Sequence, residues 1–173
     1  SNTTDIILED VRIPAANLLG KEGGGYKYCL RYLETVRCLT MAFTIGIAQS
    51  ALDHAVKYAK ERVQFGKPII KNQGLGFMLA DMQIKLCASR ALMHDTCRMM
   101  DIGYSVAINS PAAKVFISES CFEICNTALQ VLGGYGYMKE YPVEKLVRDS
   151  RVFPIFEGTN EIQKVVIHGQ LSR

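Results

Sequence analysis

YKYCLRYLETVRCLTMAFTIGIAQSALDHAVKYAKER, residues 26–62, is the stretch whose periodicity decides the fold. Apolar residues return at helical spacing through Leu30, Leu33, Met41, Ile45, Ala48, Leu52, Ala55 and Ala59, and no proline interrupts them. The pattern predicts one helix of many turns, ending before Phe65-Gly66-Lys67-Pro68, where glycine and proline both terminate a helix. Downstream, a second helix is expected over about residues 73–101, with Leu75, Met78, Leu79, Met82, Leu86 and Leu92 on its buried side and Gly103 closing it. Ser110-Pro111 opens a third, serine as cap and proline at the first helical position, where its missing N–H costs nothing. That helix runs to about Leu132 and stops at Gly133-Gly134-Tyr135-Gly136. A short helix from Val143 to about Ser150 follows Pro142, and a last one begins near Thr159 or Asn160. Helices joined by tight loops bury their apolar stripes most economically against one another. The expected fold class is therefore all-α, an antiparallel up-down bundle.

Upstream the pattern changes. Residues 5–13, DIILEDVRI, are β-branched and partly alternating, and they stop at Pro14, which cannot continue a ladder. One short strand is expected there, entering from something earlier in the chain. Asn17 to Gly25 then supplies turn chemistry before the long helix. Ser1 and Asn2 read as an added remnant, and nothing at the start has the pattern of a signal peptide.

Bulk properties narrow the function. With 173 residues, 49% hydrophobic and 21% charged, the chain has the balance of a globular domain large enough to bury a core. A net charge of +3 with interspersed signs lacks the dense basic blocks of a nucleic-acid binder. No run approaches the ~18 uninterrupted apolar residues of a membrane span. The six cysteines, Cys29, Cys38, Cys87, Cys97, Cys121 and Cys125, form no C-x-x-C pair and suit a reducing compartment. His54, His94 and His168 are dispersed, with no Glu-x-x-His pair of the di-iron type, so no metal site is expected.

Three segments carry more than helix and linker require. In Glu61-Arg62-Val63-Gln64-Phe65-Gly66-Lys67-Pro68, cations crowd a helix end, either as ordinary complements to the helix dipole or as an anion clamp. Gln130-Val131-Leu132-Gly133-Gly134-Tyr135-Gly136-Tyr137 is either a glycine cap or a place where backbone approaches a ligand closely and aromatics stack. In Phe156-Glu157-Gly158-Thr159-Asn160-Glu161-Ile162-Gln163, Thr159 caps a helix whose positive end Glu161 complements. Glu157 precedes that cap. In apolar surroundings such a carboxylate becomes a better proton acceptor once substrate displaces water, so Glu157 is a candidate base. Arg37 interrupts an otherwise apolar or small run and reads as an edge residue reaching solvent.

Taken together, these segments resemble the acyl-CoA dehydrogenase family, and the resemblance covers essentially the whole chain. It is carried by Leu8-Glu9-Asp10-Val11-Arg12-Ile13-Pro14 with Asn17-Leu18-Leu19-Gly20, by the Glu61 to Ile69 turn, by Leu79-Ala80-Asp81-Met82, by the Gln130 to Tyr137 glycine segment, and by Arg148-Asp149 leading to Glu157-Gly158-Thr159-Asn160-Glu161-Ile162. Their order and spacing make the match specific.

The resemblance implies the C-terminal helical domain, at residues 23–173, of an FAD enzyme of fatty-acid β-oxidation. Residues 1–22 would then be the residual strand and linker of a middle β-domain. Such enzymes convert an acyl-CoA thioester to its trans-2-enoyl-CoA. A glutamate removes the α-proton, the β-hydrogen leaves as hydride to the flavin, and an electron-transfer flavoprotein takes the electrons. Glu157 matches that base, and its backbone N–H, with a flavin ribityl hydroxyl, would polarise the thioester carbonyl. Some relatives carry the base just before Arg37; here that position is Val36, which cannot accept a proton. Arg37 and Gly158 match positions near the substrate, and Glu34 falls where many relatives have an aspartate on the CoA portion.

Arg62, Gln64, Asn72 and Gln73 match contacts to the FAD of a neighbouring subunit, Arg62 at the pyrophosphate, and Phe65 is counted with these cofactor-binding positions. Gln130, Gly133 and Gly134 match adenosine and diphosphate contacts, and Thr159 with Glu161 matches flavin contacts of the same subunit. A homo-oligomer, usually a tetramer, is implied. So are the mitochondrial matrix for a eukaryotic source and the cytoplasm for a bacterial one, and a fragment inactive by itself. The alternatives are an acyl-CoA oxidase passing electrons to O2 and a non-catalytic helical oligomerisation module.

Overall fold

The computed structural model describes residues 4–172, so Ser1 and Asn2 lie outside the described residues. The chain divides into two compact units, residues 1–32 and 33–173. In order along the chain come α1 (Gly25–Glu61), β1 (Val63–Gln64), β2 (Lys67–Pro68), α2 (Gln73–Asp101), α3 (Asn109–Leu132), α4 (Val143–Ser150) and α5 (Asn160–Leu171), with short 3-10 turns at 15–17, 69–71 and 133–137.

The first unit corrects one expectation. Among the described residues, 5–13 form no strand, and the chain's one sheet is the two-stranded β1–β2 ribbon. A ladder needs a neighbour to take up its N–H and C=O groups, and none of the described residues pairs with this segment. Ile6, Ile7, Leu8, Val11 and Ile13 are all exposed. Further on, the loop before α1 is tied down locally, the Lys21 amide donating to the Tyr28 hydroxyl at 3.2 Å.

In the second unit the predicted periodicity holds. Met41, Ile45, Ala48, Leu52, Ala55 and Ala59 of α1 are buried together with Leu79, Met82 and Leu86 of α2 and Ala113, Ile117, Cys121, Ile124, Cys125 and Ala128 of α3. α3 is the hub, packing against α2, α4, α5 and the 133–137 turn. Small residues on α1 admit close approach, near enough for the Cys121 thiol to meet the Ala48 backbone. Each large apolar side chain enclosed here contributes about 1.5–3 kcal/mol by leaving water. Truncating Ile117 to alanine should cost about 2–5 kcal/mol.

An 18-residue window of α1 has a mean hydropathy of 1.2, apolar enough by composition to cross a membrane, but half of it is buried inside the protein. Its apolarity serves the core. Ser110 also departs from expectation: the residue capping α3 is Ile108, with no side-chain cap bond. The Ser110 hydroxyl is buried and donates instead to the Glu34 carbonyl at 3.4 Å, joining α3 to α1. Cys38 is buried in α1, where its thiol meets the Met100 sulfur at 3.2 Å, whereas Cys87 is exposed.

Candidate functional site

Two groups of polar residues stand out from this apolar framework, and the first is built around the link between α4 and α5. Backbone bonds from Ile155 and Phe156 to the Val152 carbonyl curl the chain back, and the Phe153 and Phe156 rings meet at 5.5 Å. The next residues are left-handed, Glu157 at φ 56° and Gly158 at φ 83°. Glycine adopts that region freely. A glutamate there is uphill by roughly 1–2 kcal/mol and must be held by its surroundings.

α5 does the holding from its buried face, where Asn160 and Gln163 lie three residues apart and are both enclosed. Gln163 Nε2 donates to the Gly158 carbonyl at 3.1 Å and the Glu157 carbonyl at 3.4 Å. Asn160 Nδ2 donates to Ser118 Oγ at 3.0 Å and Glu119 Oε1 at 3.2 Å, and its Oδ1 accepts from Lys114 Nζ at 2.8 Å. Thr159 caps the helix as expected, its Oγ1 accepting the Ile162 amide at 3.3 Å. Glu161 follows the cap. The helix-start N–H at Glu161 itself and the Thr159 hydroxyl hold its carboxyl below the usual carboxylate range.

Lys114 is only 2% exposed. Burial, with Arg37 adding repulsion, pushes its ammonium down to about 8, while Glu161, Glu157 and Glu119 oppose that fall. Arg37 is half-buried rather than solvated at an edge, which corrects the reading from sequence, and its Nε is enclosed without a hydrogen-bond partner. Burial lowers the affinity of this guanidinium for its proton, against the attraction of Glu34 and Glu157. Glu34, Arg37, Lys114, Glu157 and Glu161 thus share one electrostatic neighbourhood, running from the buried Lys114 to the exposed Glu34 and Glu161.

Of the residues in this first group, the sequence had singled out Glu34, Arg37, Glu157, Gly158, Thr159 and Glu161. It had passed over Lys114 and had quoted Asn160 and Gln163 within their segment without giving them a role. Lys114 and Ser118 sit at core spacing among Ala113, Ile117 and Cys121, and a lysine inside an apolar helical stripe is a readable warning.

The second group lines an open cleft of about 570 Å³, walled by Tyr58, Arg62, Gln64, Ile69, Met138 and the Gln130 to Tyr135 segment. The Arg62 guanidinium lies 5.5 Å from the Tyr135 ring centroid, and Tyr135 packs on Tyr141 at 5.6 Å and Tyr58 at 6.4 Å. This stack fixes the arginine's direction while its donors stay available for an anion. Gly133 and Gly134 have no atom within 4 Å of where a side chain would project, so backbone faces open space. The structure therefore brings Arg62, Gln64, Gln130, Gly133 and Gly134 together. It does not bring Phe65, Asn72 or Gln73 to that cleft. Phe65 is at the β1–β2 tip, 93% exposed; Asn72 occupies the cap position of α2 without a side-chain cap bond, and Gln73 begins the helix. Thr159 and Glu161 line a separate cleft of about 480 Å³ with Glu119, Phe122 and Arg151.

The chain is similar to known proteins over nearly its whole length. The family described as acyl-CoA dehydrogenase, C-terminal domain, matches residues 23–172. A Bacillus subtilis protein named acyl-CoA dehydrogenase is 47% identical over 167 residues, 96% of this chain and 44% of the relative. An Acetobacterium woodii protein named caffeyl-CoA reductase-Etf complex subunit CarC is 47% identical over 169 residues, 98% of this chain and 45% of the relative. The solved structure of butyryl-CoA dehydrogenase from Megasphaera elsdenii superimposes with a TM-score of 0.93 at 41% identity, covering 96% of this chain and 44% of that one. The chain thus spans under half the length of the relatives it matches.

Proposed function

The chain belongs to the acyl-CoA dehydrogenase family, and from that premise we propose that residues 23–173 form the C-terminal domain of a longer flavoenzyme, with residues 1–22 the end of a preceding domain. The proposed reaction is α,β-dehydrogenation of an acyl-CoA thioester to its trans-2-enoyl-CoA, with Glu157 as the base. The observation that carries this reading is a glutamate held at φ 56° beside Arg37 and Lys114. A polypeptide keeps a charged residue in an uphill conformation where its direction matters.

In this mechanism the Glu157 carboxylate takes the α-proton. Its backbone N–H polarises the thioester carbonyl, which makes that proton removable. Arg37 and Lys114 attract the carboxylate, Glu34 would meet the CoA portion, and Arg37 and Gly158 would lie near the reacting end of the substrate. The donor set of the 570 Å³ cleft fits a dinucleotide: a forked guanidinium for a diphosphate, side-chain amides for an adenine, and open backbone at Gly133-Gly134. FAD held there would supply the acceptor for the hydride that leaves the β-carbon.

Arg62, Gln64, Gln130, Gly133 and Gly134 would hold it in that cleft, Phe65, Asn72 and Gln73 would meet it outside the cleft, and Thr159 and Glu161 would hold a flavin from a different cleft of the same chain. That separation favours sites built by two subunits, and hence a homo-oligomer such as a tetramer. An electron-transfer flavoprotein is the proposed acceptor, supported by the relative named as part of a reductase-Etf complex. The same name supports a second reading, in which the reaction runs toward saturation and Glu157 returns the proton. Turnover of an enoyl-CoA with reduced electron-transfer flavoprotein, faster than the reverse, would select it.

The test of the base is Glu157→Gln in the full-length polypeptide. The variant should keep its yellow cofactor while bleaching by acyl-CoA slows by about 10²- to 10⁴-fold. Normal bleaching would refute the assignment.

A further inference from the structure

Gln163 is fully enclosed on α5, and its carboxamide is engaged on one side only. Nε2 meets two consecutive backbone carbonyls, those of Gly158 and Glu157, at 3.1 and 3.4 Å. Oε1 is buried with no donor. A side chain on Gly158 would begin 2.7 Å from Nε2, so the amide occupies the room that glycine leaves. The two carbonyls belong to the two left-handed residues, and among the described residues the Gln163 amide is the donor that reaches both.

We propose that Gln163 is a positioning residue for the dehydrogenation: its carboxamide clamps the Glu157 and Gly158 carbonyls, and through them it fixes the direction of the base. The inference rests on reading Glu157 as that base. The alternative, a glutamine that merely docks α5, fits the contacts less well. Docking is already supplied by Asn160, which reaches Lys114, Ser118 and Glu119 on α3, whereas both Gln163 bonds go to the turn carrying Glu157. The orphaned Oε1 sharpens the point, because only the N–H2 end of the amide is used.

Gln163→Met in the full-length polypeptide deletes both donors and also removes the orphaned acceptor, at similar volume. FAD content and the Kd for a non-reacting acyl-CoA analogue should stay within about twofold of the parent. Bleaching by acyl-CoA should slow by about 10²-fold, the loss that follows a misplacement of around 1 Å. Hydrogen exchange at the amides of residues 157–160 should quicken while that of α3 is unchanged. Bleaching at the parental rate overturns the proposal, as does a rate loss matched by equal losses of FAD and analogue binding. If the methionine variant does not fold, Gln163→Glu keeps the volume without the N–H2 and is read by the same ratio; failure of both to fold makes the residue structural and also overturns it. Glu157→Gln run alongside separates the two ideas. If that variant bleaches normally the base reading falls, and if it is inert while Gln163→Met bleaches normally only the clamp falls.

Discussion

The chain makes the same unusual turn twice. At the β1–β2 tip Phe65 stands at φ 53° and Gly66 at φ 75°; between α4 and α5 Glu157 stands at φ 56° and Gly158 at φ 83°. In each, a non-glycine residue is left-handed and a glycine follows. The means of support differ. The first turn is closed by its own ladder, Val63 opposite Pro68 and Gln64 opposite Lys67, and two positive φ values are what a tight two-residue hairpin demands. The second has no ladder and is held by Gln163 across six residues. One turn presents an apolar ring to the outside; the other holds a carboxylate beside two cations. Under the proposed function, the first turn would serve assembly and the second chemistry.

Alanine at each glycine should separate the two most strongly. Gly66→Ala meets no atom within 4 Å, so it suffers only the cost of a left-handed side chain, about 1–2 kcal/mol. Gly158→Ala carries that same cost and must also displace the Gln163 amide 2.7 Å away, losing two part-buried hydrogen bonds worth about 0.5–1.5 kcal/mol each. Denaturant unfolding should show the second variant less stable than the first by at least about 1 kcal/mol. Equal losses would mean that the clamp contributes nothing.

A smaller contrast concerns pH. Lys114, which faces Arg37, Glu157, Glu161 and Glu119, binds its proton less tightly in the fold, at about 8 against an ordinary 10.5. Between those values the unfolded chain holds a proton that the folded chain has released, so stability from this group rises with pH across the window. Below about 8 the penalty of burying the charge is fully present. Subtracting the melting curve of Lys114→Met from that of the parent, at pH 7.5 and at pH 10, should give a difference that moves in the parent's favour at the higher pH. The Gly66→Ala increment should be flat across the same range, because that substitution neither adds nor removes a titratable group. A Lys114 difference that does not move with pH would remove the electrostatic half of the contrast.

These two turns also mark how far the sequence could be read. Helix spacing from Leu30 to Ala59 and glycine–proline punctuation gave the bundle, because periodicity and termination are local properties. The strand expected at residues 5–13 failed for the opposite reason: β-branched residues favour extension, but a strand exists only with a neighbour. The cap at Thr159 was legible and the cap at Ser110 was not, since that hydroxyl found a better partner on α1, far away in sequence. Glu157 was legible as a candidate through its place before a cap. Its left-handed backbone, the buried ammonium of Lys114 and the Gln163 clamp are tertiary facts.

The least effect is expected at Phe65, where the comparison can be broken most cleanly. Phe65→Gly relieves a left-handed side chain, which favours the fold by about 1–2 kcal/mol, but the added glycine loses about 0.5–1 kcal/mol more backbone entropy on folding. The ring is 93% exposed, so little packing within the chain is lost. The net change is under about 1.5 kcal/mol, a shift in melting temperature of no more than roughly 6 °C. If the turn exists to present that ring to another subunit, sedimentation should show a weaker oligomer and gel filtration a lower FAD content at nearly unchanged subunit stability. A variant that melts early but assembles normally would assign Phe65 to its own chain, and the two turns would no longer serve different ends.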